Sequence, residues 1–120
     1  MSMKHLFVPY ELALKLRNTK QFEEKCLAYY HDISYELTIG VYKNSDFYKC
    51  VAAPLFQQVV DWFREKHGLV IVISPEFDKW DGTIYKDNEM SPMGFLLSIN
   101  PCNTYYEALT KAIEEVLTHI

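Results

Sequence analysis

Pro54-Leu55-Phe56-Gln57-Gln58-Val59-Val60-Asp61-Trp62-Phe63-Arg64-Glu65-Lys66-His67-Gly68-Leu69-Val70-Ile71-Val72-Ile73 changes its hydrophobic period at a single glycine. Before Gly68, the residues Leu55, Phe56, Val59, Val60, Trp62 and Phe63 share one wide face of a helix that Pro54 opens. Gln57, Gln58, Asp61, Arg64 and Glu65 take the opposite face. Gly68 follows His67 where a left-handed residue ends a helix, and the chain passes at once into the apolar run Leu69 to Ile73. A run without polar interruption predicts a central strand covered on both faces, ending at Ser74-Pro75. Helix and sheet therefore belong to one packed arrangement.

Working towards the N-terminus, Glu36 to Tyr42 sets Leu37, Ile39 and Val41 against Glu36, Thr38 and Gly40, the alternation of a half-buried strand. Cys26 to His31 is rich in strand-forming side chains, and Asp32-Ile33-Ser34 between the two segments predicts a hairpin turn. Pro9 starts a short helix with Tyr10, Leu12, Ala13, Leu14 and Leu16 on its apolar side, ending near Asn18. The polar stretch Asn18 to Lys25 reads as a connection, and Asn44-Ser45-Asp46 closes the hairpin unit.

Towards the C-terminus, Trp80 to Tyr85 and Gly94 to Ile99 read as strands flanking a polar loop, Lys86 to Pro92. Thr104-Tyr105-Tyr106-Glu107 has the form of a capping box, followed by Ala108, Leu109, Ala112, Ile113, Val116, Leu117 and Ile120 on one face. The expected fold class is α+β, a single domain over residues 1–120, with three helices packed on a mixed or antiparallel sheet of about five strands. The order is helix, two strands, helix, three strands, helix.

Composition narrows the function classes. A chain of 120 residues with 49% hydrophobic and 23% charged residues has ordinary globular usage, and no apolar run approaches the ~18 residues of a membrane helix. Lys4 and Glu11 bracket too short an apolar stretch for a signal peptide, so a cytoplasmic location is expected. Cys26, Cys50 and Cys102 are odd in number and widely spaced, which predicts reduced thiols. Sixteen acidic residues face 12 basic ones, of which only Arg17 and Arg64 are arginine, so nucleic acid is a disfavoured partner.

Three segments together carry a resemblance: Phe7-Val8-Pro9-Tyr10-Glu11-Leu12-Ala13, the stretch from Pro54 through Trp62-Phe63-Arg64-Glu65-Lys66-His67, and Tyr105-Tyr106-Glu107-Ala108. They resemble a family of small proteins encoded in bacterial prophages and mobile elements. The resemblance implies a bacterial or phage origin and supplies no catalytic motif.

Each candidate for chemistry competes with a plainer role. Cys102 precedes the last helix, where a thiol is activated if a base such as His31 or His67 is brought to it; a packed, inert cysteine is the alternative. Asp78, Asp81, Asp87 and Glu89 cluster in sequence without the spacing of a calcium loop, which favours a solvated turn. Cys26 and His31 are one lone pair, too few for zinc. Tyr29, Tyr30, Tyr35, Tyr42 and Tyr85 lie on or beside expected strands, where bases stack if the face is exposed and basic; the acidic balance favours packing. No metal and no cofactor is expected.

No set of groups converges on a reaction, so the expected function is a non-enzymatic protein-interaction or accessory role in a phage or mobile element. Gln57, Asp61 and Arg64, spaced to meet on one helix face, are the candidate partner-binding residues, with Trp80 and Tyr85 as further anchors. The partner is an unidentified protein or a second copy of the chain. A small enzyme whose site assembles only in three dimensions, or a weak binder of single-stranded nucleic acid, is the alternative.

Overall fold

The computed structural model describes residues 4–19, 21–31, 33–46, 50–86 and 95–120. They form a 3-10 turn at Lys4–Leu6, then α1 (Tyr10–Asn18), β1 (Cys26–His31), β2 (Leu37–Tyr42), β3 (Cys50–Ala52), α2 (Phe56–His67), β4 (Leu69–Glu76), β5 (Lys79–Lys86), β6 (Phe95–Cys102) and α3 (Tyr105–Leu117). The class is α+β, as expected. Six strands, however, make two three-stranded antiparallel sheets rather than one sheet of about five. The chain divides into two compact units, Met1–Phe56 and Gln57–Ile120.

In the first unit the strand order is β2-β1-β3. Cys26, Ala28 and Tyr30 of β1 are buried, and α1 lies against β3 with Leu12, Ala13 and Leu16 buried. Sequence reading missed β3, because Cys50-Val51-Ala52 is too short to show a period. Distant partners define it: Cys50, Val51 and Ala52 pair with His31, Tyr30 and Tyr29. Asn44 fastens the same segment, accepting from Ala52 N at 2.9 Å and donating to Phe22 O at 3.2 Å. The Arg17 guanidinium and the Tyr42 hydroxyl both donate to the Cys50 carbonyl, at 3.3 and 3.1 Å. The N-terminal segment joins through Phe7 bridging Leu55 and through Val8 N donating to Pro54 O at 3.0 Å.

The second unit begins in α2, whose Val59, Trp62 and Phe63 are buried. Gly68 takes φ 65°, and its N–H donates to Arg64 O at 3.1 Å, so the helix ends where the sequence placed its stop. The strands follow as a meander, β4-β5-β6. Leu69 to Ile73 is therefore in an outer strand, not the central one, and only Ile71 is buried. Cover on a strand's faces and position in the hydrogen-bond ladder are separate properties, and an apolar run reports only the first. The strand also continues beyond the expected stop, because Pro75 lacks an N–H and an outer strand needs none on its free side.

Helix α3 contacts all three strands and buries Ala108, Leu109, Ala112, Ile113 and Val116 of the expected apolar stripe, whereas Leu117 is only half-buried and Ile120 lies exposed beyond the helix end. Thr104 caps it, its hydroxyl accepting from Glu107 N at 3.1 Å. Among the described residues no helix is long and apolar enough to cross a membrane.

Candidate functional site

The three polar residues on α2 do meet. Gln57 Nε2 and Arg64 Nη2 both donate to Asp61 Oδ1, at 3.0 and 3.2 Å, as spacings of four and three residues along one helix face dictate. Both members of the ion pair are about half exposed, so the pair itself contributes roughly 0–1 kcal/mol to stability.

Trp80 and Tyr85 do not join each other. β5 pairs with β4 without a break from Lys79 to Lys86, so residues five apart project from opposite faces of the sheet. Trp80 meets Tyr105 of α3 edge-on, centroids 5.5 Å apart and planes at 86°, and Tyr105 in turn meets Tyr106. Tyr85 lies across from Val70 on the other face.

The tyrosines of the first sheet serve mainly as packing. Tyr30 and Tyr42 are buried, while Tyr29 is half-buried between Tyr42, at 5.2 Å, and His31, at 5.5 Å. Such rings are not a platform open to bases. Tyr35 is the exposed one, packed on Tyr10 at 4.6 Å.

Exposed apolar surface lies elsewhere, in the part of the chain read as half-buried. Ile39 and Val41 of β2 are 71% and 70% exposed, with Leu27, Ile33 and Tyr35 also exposed in the same hairpin. β2 is an outer strand, and Leu37-Thr38-Ile39-Gly40-Val41-Tyr42 contains neither charge nor proline. Among the described residues, a register shift between β1 and β2 near Cys26 and Ala28 is the feature there that blunts an edge. The opposite outer strand, β3, has only three residues and is covered by α1. The turns joining β1 to β2 and β4 to β5 each hold an exposed aromatic residue in the left-handed backbone region: Tyr35 at φ 58° and Phe77, fully exposed, at φ 57°. The sequence signal for this surface was the uncharged run between Glu36 and Lys43.

Most of the groups considered for catalysis are buried or already hydrogen-bonded. Cys102 is buried, its thiol donating to Asn100 O at 3.5 Å. Cys26 is buried and donates to Glu24 O at 3.5 Å; burial, aided by the Glu24 charge, pushes its pKa up to about 12. Cys26 and His31 are five residues apart on one strand, hence on opposite faces. Register sets His31 beside Cys50, a pairing that sequence reading missed, but His31 Nε2 is hydrogen-bonded to Thr38 Oγ1 at 3.0 Å. Asp81 Oδ1 accepts from Gly82 N, Asp78 is exposed, and Asp87 and Glu89 lie outside the described residues. Among the described residues no three His, Cys, Asp or Glu side chains are grouped to hold a metal ion.

Compared with family models, curated proteins and solved structures, the chain matches none.

Proposed function

We propose that this chain is a non-enzymatic interaction protein whose first unit accepts an extended segment of a partner protein along the free edge of β2. The observation that carries this reading is the coincidence, in one outer strand, of Ile39 and Val41 exposed by 71% and 70% with a six-residue stretch free of charge. Proteins normally protect such edges with charges, prolines or very short strands, and an added strand satisfies both the outward backbone groups and the apolar side chains. The row Gln57, Asp61 and Arg64 on α2 is a second surface assigned to partner contact, with Trp80 and Tyr85 as separate anchors. Resemblance of the segments beginning at Phe7, Pro54 and Tyr105 supports an accessory role in a bacterial phage or mobile element, acting in the cytoplasm.

Selection of random peptides displayed on phage against the full chain tests the reading. Peptides rich in β-branched and aromatic residues are expected, and they protect backbone amides of Leu37–Tyr42 from hydrogen exchange. Ile39→Lys, on an exposed side chain, leaves the circular dichroism spectrum unchanged and lowers their affinity at least tenfold. Peptides that bind Ile39→Lys as well as the parent chain, or a selection that returns no binder, would overturn it.

A further inference from the structure

At the C-terminal end of α3, the helix and the sheet beneath it leave a cavity of about 380 Å³. The registers Leu69 to Lys86, Ile71 to Ile84 and Ile84 to Leu97 bring Leu69, Ile84, Lys86 and Leu97 to the same end and face of the sheet. Above them Val116 is the last buried side chain of α3, and a valine is too short to fill the space down to the strands. The helix then stops: Thr118 donates its hydroxyl to Glu115 O at 2.7 Å, and His119 N donates to Val116 O at 2.9 Å, which fixes His119 at the cavity wall. The result is an apolar lining of Leu69, Ile84, Leu97 and Val116 with two polar side chains, Lys86 and His119, both exposed. Among the described residues no carboxylate lines the cavity.

Its volume falls in the range of small-molecule sites, which pair an apolar lining with a few placed polar groups. The polar groups here are a lysine and an imidazole, donors suited to an anion, while the lining offers nothing to a polar body. We infer that the cavity binds an unbranched aliphatic carboxylate, its tail against Leu69, Ile84, Leu97 and Val116 and its carboxylate at Lys86 and His119. This assignment belongs to the second unit alone and does not depend on the β2 edge.

Calorimetric titration of the full chain with octanoate and decanoate, beside decanol and decyltrimethylammonium, tests it. Decanoate is expected to bind once per chain. Each methylene buried from water contributes about fourfold in affinity, so octanoate, two methylenes shorter, binds roughly fifteenfold more weakly. Decanol and the cationic amphiphile bind at least fivefold more weakly than decanoate. Lys86→Gln, on an exposed side chain, lowers decanoate affinity to that of decanol. Val116→Phe fills the cavity and abolishes binding of every tail; should it fail to fold, Leu97→Phe serves the same purpose. Absence of saturable decanoate binding at millimolar concentration, or equal affinity for all three compounds with a ten-carbon chain, would overturn the inference. So would decanoate binding unchanged in Lys86→Gln.

Discussion

The phenolic hydroxyl of Tyr30 donates to the backbone carbonyl of Val8 across 2.7 Å, in a buried position. This bond ties the segment ahead of α1 to the inner strand of the first sheet, and the Tyr10 ring braces it edge-on at 5.7 Å. Tyr30→Phe keeps the ring and leaves the Val8 carbonyl without that donor. The expected cost is about 1–3 kcal/mol in the urea unfolding free energy, the range for a buried acceptor left unsatisfied. An unchanged midpoint would show that the carbonyl finds another donor.

Stability should fall at alkaline pH, and Cys26 fixes the sign. Its pKa rises from an ordinary 9.0 to about 12 on folding, through burial first and the Glu24 charge second. Between those values the unfolded chain has released the proton and the folded chain still holds it, so raising the pH favours unfolding. The stabilisation is complete below about 9 and lost as the pH approaches about 12. Tyr30, raised above its ordinary 10.0 by burial, acts in the same direction. Urea midpoints measured from neutral pH to about pH 10 should decline less in Cys26→Ala than in the parent chain. Alkylation of the native protein should reach the half-exposed Cys50 before the buried Cys26 and Cys102.

Gly82 occupies the middle of the second sheet at a position where a side chain would be crowded. A Cβ there would sit 3.0 Å from Ile99 Cδ1 and Cγ1 and 3.1 Å from Ile73 Cδ1. Gly82→Ala should therefore destabilise by about 1–3 kcal/mol, the cost of overpacking. Adding Ile99→Val removes one of the clashing methyl groups and should restore part of the loss. Strict additivity of the two changes would mean that the contact carries no strain.

What could be read from sequence was whatever depends on near neighbours. Thr104, Glu107 and the stripe from Ala108 to Val116 define α3 locally, and each has the expected place. The spacing of Gln57, Asp61 and Arg64 likewise fixed their meeting. The five-residue separation of Trp80 and Tyr85 already put them on opposite faces of a strand. Alternation in Leu37, Ile39 and Val41 marked a strand without saying which face is covered, and the apolar side proved to be open. β3 was illegible because its three residues form a strand only through Tyr29, Tyr30 and His31.

Phe77→Gly should stabilise the chain. The side chain is fully exposed, and the backbone holds φ 57°, a region that costs a residue with a Cβ roughly 1–2 kcal/mol. Glycine removes that strain at a turn, less the extra freedom it gives the unfolded chain, for an expected net gain of about 0.5–1 kcal/mol by thermal unfolding. A loss of stability would mean that the phenylalanine makes contacts that outweigh its strain.

The uncharged edge of β2 carries a cost of its own. Six residues of high strand propensity, low charge and no proline, held open at the rim of a sheet, match the composition from which cross-β fibrils grow. Left unpaired, that edge exposes the chain to polymerisation through Leu37–Tyr42, and Ile39→Lys would be a gatekeeper against that fate. Solubility and the proposed partner binding thus make opposed demands on the same strand.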